Sequence, residues 1–210
     1  MAPHSSHAPL SLVVKQDHRS ATDGDLARGL MAGETWAVVE TWRRFAPMVL
    51  MMAKRTLGSQ SDAEDIGQEV FQQLFRNAKS LRQPDSLRSF VYGCAVHALK
   101  TELRRRKLRS WLHLSPQATF NDQGWGTLDV ESRDLLRRFH ALLERLSSRD
   151  RLVFILRRVE AMQVDEIAAT MKISESTVKR SMRHAFSRLS GWIDADPALA
   201  GLRDTERWER

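Results

Sequence analysis

From Val164 to Leu189 the chain reads VDEIAATMKISESTVKRSMRHAFSRL, and few structures accommodate that pattern. Val164, Ile167, Ala168 and Met171 recur at i, i+3, i+4 and i+7, which puts them on one face of a short helix. In the segment that follows, Val178, Met182, Ala185, Phe186 and Leu189 form a second apolar stripe, while Ser176, Lys179, Arg180, Arg183 and Ser187 take the opposite side. Between the two, Ile173 is placed to fill the angle between the helices, and Ser174 to accept from the free N–H groups of the second one. This is a helix-turn-helix pattern. Its second helix suits a DNA major groove, because Arg and Lys can take guanine edges while hydroxyls and amines hold phosphates. A helical hairpin with a solvated basic face yields the same pattern in many all-α proteins, so the rest of the chain has to decide.

The remainder also reads as helix. Leu, Val, Ile, Met and Trp recur at helical spacing and no strictly alternating β-branched run is present, so the fold class is all-α. A formal net charge of +7 over 210 residues favours a polyanionic partner, nucleic acid first. The single cysteine, Cys94, excludes an internal disulfide and a cysteine-based zinc site, which fits a reducing, cytoplasmic setting. The longest apolar runs, such as Met48 to Ala53, are far short of the ~20 residues of a membrane span, and Leu10 to Val14 lacks the flanks of a secretory signal. No membrane insertion and no cofactor are expected. Ala2-Pro3-His4 resembles a copper-binding terminus, but Pro3 lacks the amide that such a chelate needs.

In chain order, residues 1–21 form an aperiodic tail and 22–110 a first helical domain. There Pro47 marks a kink or a new first turn, and Ser61 to Glu64 has capping-box form. Ile66, Val70, Phe71 and Leu74 then point inward, and Asp62, Asp65 and Glu69 project together on the other side. The next helix buries Leu87, Phe90, Val91, Cys94, Ala98 and Leu103, and its far end is a basic run of Lys100, Arg104, Arg105, Arg106, Lys107 and Arg109. Residues 111–130 form a linker with unusual aromatics at Trp111, Phe120 and Trp125. A second helical domain spans 131–193 and contains the helix-turn-helix; 194–210 is a tail.

The order of these parts resembles the extracytoplasmic-function sigma factors of bacterial RNA polymerase. The resemblance rests on DAEDIGQEVFQQLF at Asp62 to Phe75, SLRSFVYGCAVHALKTELRRRK at Ser86 to Lys107, and LLERLSSRDRLVFILRRVEAMQVDEIAATMKISESTVKRSM at Leu142 to Met182, and covers roughly residues 22–193. It implies two helical domains on a flexible linker, no catalytic activity, and core RNA polymerase and promoter DNA as partners, with an anti-sigma protein as a further one. By the same resemblance, Asp62, Asp65, Glu69, Gln72 and Gln73 dock on the polymerase clamp. His97, Lys100, Arg104, Arg105 and Arg106 attend the −10 element, and the loop from Lys79 to Ser86 matches one that captures a base. Ser176, Thr177, Lys179, Arg180, Arg183 and His184 read the −35 element, and their domain also touches the polymerase flap. The chain departs from the family pattern at Gly93, Val96-His97 and Thr101, and Lys172 stands at a turn position that is commonly glycine.

Two other readings compete. Asp62, Asp65 and Glu69 on one helical face have the chemistry to hold Mg²⁺, but no second helix offers a matching ligand motif. A stand-alone helix-turn-helix regulator accounts for Val164 to Leu189, yet leaves the acidic helix, the basic run and the long linker without roles.

Overall fold

The computed structural model describes residues 18–81, 86–112 and 129–199, and these are almost entirely helical. The Ala2-Pro3-His4 terminus, Phe120, Trp125 and most of the loop between Lys79 and Ser86 lie outside the described residues. Four helices form the N-terminal part: α1 (Asp23–Ala32), α2 (Thr35–Leu57), α3 (Gln60–Arg76) and α4 (Leu87–Trp111). Four more form the C-terminal part: α5 (Val130–Glu144), α6 (Ser148–Arg158), α7 (Val164–Met171) and α8 (Glu175–Asp194).

Local chemistry sets most of the helix ends. Thr22 opens α1 by accepting from the Asp25 amide at 3.1 Å, and Asp25 returns the bond to the Thr22 amide at 2.9 Å. Ser147 and Ser174 cap α6 and α8, accepting from the Asp150 and Thr177 amides at 3.1 and 3.3 Å. Gly58 ends α2 in the left-handed region at φ +75°. Two expectations are corrected here. The cap of α3 is Ser59, accepting from the Asp62 amide at 3.3 Å, and not a box from Ser61 to Glu64. Pro47 neither ends nor restarts a helix but lies inside α2. It is exposed, as is Arg43 one turn earlier, so the carbonyl that loses its amide partner is solvated.

The core of the N-terminal part is built from Leu26, Val49, Met52, Val70, Phe71, Leu87, Val91 and Leu99. Cys94 is buried on the inner stripe of α4, and its thiol is pushed up to about 11 by that burial, so it is an inert packing residue. The C-terminal part has its own cluster of Leu142, Leu143, Phe154, Ile155, Ala185 and Leu189. Between the two stands α6. Leu152, Val153, Phe154, Ile155 and Leu156 are consecutive, and none is more than 2% exposed. One core cannot cover five successive helical positions, so a helix apolar all round needs cover on two sides. Phe154 and Ile155 face the C-terminal cluster, while Leu152, Val153 and Leu156 join the N-terminal core, together with Ile167, Ala168 and Met171 of α7. At about 1.5–3 kcal/mol for each large apolar side chain buried, that second face is a substantial part of what holds the two halves together.

Candidate nucleic-acid interface

The helix-turn-helix is α7 and α8. Ile173 packs on the core between them, and the turn runs through Lys172, which adopts φ +54° where glycine is the easier residue. On α8, Val178, Ser181, Ala185, Leu189 and Ile193 are buried against the rest of the domain. The opposite row, Ser176, Lys179, Arg180, Arg183 and His184, is exposed, and Thr177 is half-buried with its hydroxyl 2.9 Å from that of Ser174. Lys179 has only a loose partner, Glu175 at 3.7 Å, while Arg180 and Arg183 form no ion pair among the described residues. These guanidinium groups carry full charge with no internal acceptor, which is the state a major-groove or phosphate contact requires.

His184 is held differently. Its Nδ1 lies 2.8 Å from Oδ2 of Asp150, a residue only 4% exposed at the start of α6. Burial works to raise the Asp150 pKa, but hydrogen bonds from His184, Ser147 and Ser181 outweigh it and hold the carboxyl below its usual range. An ionised carboxylate only accepts, so the proton sits on Nδ1 and Nε2 is left for an outside partner. Sequence reasoning did not single out Asp150. Its only local signal is the Ser147-x-x-Asp150 cap, and the tie to α8 spans 34 positions.

The basic end of α4 divides in two. His97, Arg104 and Arg105 are exposed and Lys100 is half-buried, so all four are open to solvent to some degree. Arg106 is turned inward, with its side chain 14% exposed. It reaches Asp62 of α3 at 2.6 Å and Glu102 at 3.2 Å, and donates to the Leu57 carbonyl at 3.1 Å. Two residues expected to serve different partners, Asp62 and Arg106, are therefore partners of each other. Arg109 also bonds Glu102, at 2.7 Å. On α3, Asp65, Glu69 and Gln72 are exposed and Gln73 is half-buried. Among the described residues no group of three His, Cys, Asp or Glu side chains is arranged to hold a metal ion.

A groove of about 1050 Å³ runs between α4 and α7. Gln73, Arg88, His97 and Lys100 line it from the N-terminal half, and Asp165 and Glu166 from the C-terminal half. One wall is cationic and the other anionic. A nucleic-acid strand in it meets repulsion from α7, whereas a polypeptide segment with charges of both signs complements both walls.

Comparison with known proteins adds the following. Residues 41–109 match the family model Sigma-70 region 2, and residues 136–189 match Sigma-70, region 4. The chain is 25% identical over 169 residues to the ECF RNA polymerase sigma factor SigM of Mycobacterium tuberculosis, covering 80% of this chain and 83% of that one. It is 27% identical over 128 residues to the RNA polymerase sigma factor SigV of Bacillus subtilis, covering 60% and 73% of the two chains. Among solved structures, CnrH in complex with the cytosolic domain of CnrY has a similar fold at TM-score 0.61 and 22% identity, covering 83% of this chain and 98% of that one. So does the sigma factor RpoE in complex with the anti-sigma factor NepR from Bartonella quintana, at TM-score 0.57 and 18% identity, covering 74% and 95%. The first model spans α4 and α3 with most of α2, and the second spans the helix-turn-helix with α6 and most of α5.

Proposed function

The chain belongs to the sigma-70 family, among its extracytoplasmic-function sigma factors, and from that premise we propose that it binds core RNA polymerase and directs it to a specific set of promoters. The function is binding, not catalysis, and its place is with polymerase in the cytoplasm. The observation that carries this reading is the α8 row, in which Lys179, Arg180, Arg183 and His184 project from a helix whose other face packs on the domain through Val178, Ser181, Ala185 and Leu189. A helix seated in that way presents its side chains in a fixed register to duplex DNA, here the −35 element.

The N-terminal domain supplies two further contacts. Asp65, Glu69, Gln72 and Gln73 of α3, with Asp62 once it is released, dock on the polymerase clamp through complementary charge. Arg104 and Arg105 on α4 follow the backbone of the opened −10 strand, with His97 and Lys100 joining them once α7 has moved away and Arg106 once it leaves Asp62. Each contact alone is weak. Two modules on one chain, held at a set spacing by polymerase, reinforce each other because the second contact becomes intramolecular.

An anti-sigma protein is the natural occupant of the groove between α4 and α7, whose opposed charges suit a helix or extended segment carrying both signs. One similar fold, the sigma factor RpoE of Bartonella quintana, has been solved with the anti-sigma factor NepR.

The test is reconstituted transcription with purified core polymerase and a library of upstream fragments. Discrete start sites that need both proteins are the expected result, and aligning them yields the promoter. Specific duplex binding by the protein alone, with no polymerase association, replaces the proposal with a stand-alone regulator.

A further inference from the structure

A polar cluster sits where the C-terminal domain meets the end of α2, and neither polymerase docking nor promoter reading uses it. His140 of α5 is 5% exposed. Its Nε2 lies 2.9 Å from a guanidinium nitrogen of Arg151, and the ring hydrogen-bonds the backbone of Thr56 in the opposite domain. Arginine can only donate, so Nε2 accepts, the proton sits on Nδ1 and the ring is neutral. The ring also lies flat against Gly58, where an added Cβ would fall 2.6 Å from Nε2. Gly58 thus meets two demands at once: a left-handed turn and a close approach of the other domain.

The surroundings are cationic. Arg151 from α6 and Arg106 from α4 both act on the ring, and Glu144 of the same helix stands 3.8 Å from Nδ1. Burial and the two arginines lower the His140 pKa to about 3, against a smaller pull upward from Thr56. Arg151 is itself 4% exposed, and its Nε has no hydrogen-bond partner among the described residues. A second tie, Arg55 of α2 to Glu160 at 3.4 Å, closes the same seam. The unpartnered Arg151 Nε takes some stability from this seam.

We propose that His140, seated on Gly58, is a latch that works with the apolar seam to hold the two domains closed, and that its protonation shifts their closure equilibrium toward the open form. Closure hides one face of α6 and sets α7 against α4, so release precedes use of His97 and Lys100 in the groove between them. The sign follows from linkage. A histidine neutral in the closed form and ordinary in the open form favours closure above its ordinary pKa near 6.5, and progressively less as pH falls below it. Between pH 7.5 and 5.5 the closure equilibrium falls about tenfold on this account. Glu144 and Glu160 oppose this, because burial raises both carboxyls and their protonation favours closure.

Small-angle X-ray scattering of the full chain from pH 8 to pH 5.5 tests the latch without polymerase. The wild type is expected to be compact at the upper end and to extend toward the lower. His140→Gln keeps one donor and one acceptor but cannot titrate, so it should stay compact throughout; the glutamates are common to both proteins, and the difference isolates His140. Gly58→Ala should be extended at every pH while far-ultraviolet circular dichroism shows both domains folded. A wild type whose dimensions do not change with pH, or a His140→Gln protein that follows it, overturns the latch. Core polymerase is then added to each protein. Opening without polymerase binding leaves the latch standing and removes the sigma-factor reading instead.

Discussion

The basic rows on α8 and α4 look alike in sequence and stand in opposite conditions in the molecule. On α8, Arg180 and Arg183 are exposed and unpaired among the described residues, because α7 and α6 occupy the other face and leave nothing for them to reach. On α4, Arg106 is enclosed by Asp62, Glu102 and the end of α2. The same residue type on two different helices is thus either a ready ligand for DNA or a strut inside the fold. Burial and the nearest carboxylate decide which, and neither is written in local spacing.

The largest expected effect belongs to the free row. Arg180→Ala should weaken binding to the preferred −35 duplex by about 1–3 kcal/mol while polymerase association is unchanged, as read by fluorescence anisotropy and by co-purification with core enzyme. An equal loss on every sequence, with the salt slope reduced by about one, would make Arg180 a phosphate contact. The enclosed row should respond differently. Arg106→Ala and Asp62→Ala each lower thermal stability, and a double-mutant cycle between them should show coupling of about 1 kcal/mol; additive losses would dissolve the contrast between the rows. The smallest effect concerns the turn that presents α8. Lys172→Gly should raise stability by about 0.5–1 kcal/mol with DNA affinity retained, because the ~1–2 kcal/mol of left-handed strain relieved at φ +54° exceeds the ~0.5–1 kcal/mol of chain entropy that glycine adds. A loss of stability there would mean that the Lys172 side chain contributes more than its backbone strain removes.

Much of this was legible in advance wherever the signal was local. The stripes of α7 and α8 and the Ser174 cap follow from residues within a few positions of one another; the turn at Lys172 does not, because lysine in place of glycine argues for a different turn, and the left-handed form is kept all the same. The inner stripe of α4, from Leu87 to Leu103, is legible for the same reason. Where two local signals compete, the reading goes astray. Ser59 and Ser61 are both able to cap α3, and Gly58, which ends α2, leaves Ser59 as the first residue in extended backbone. Pro47 reads as a kink or a new first turn because it lacks an amide, and α2 runs on through it without starting anew.

The sequence by itself determined an all-α chain with a helix-turn-helix, a helix with an acidic face and a helix with a basic end, because periodicity, caps and charge act over one or two turns. It also carried a sign that more was needed, in five successive apolar residues from Leu152 to Leu156 that no single core could cover. Only the tertiary structure decided what covers the second face, that Asp62 meets Arg106, that Asp150 holds His184, and that His140 rests on Gly58. Each of those pairings joins positions 34 to 82 residues apart or depends on the packing of whole helices. Apolar burial chooses the docking geometry first, and the polar partners are those that the geometry brings within reach.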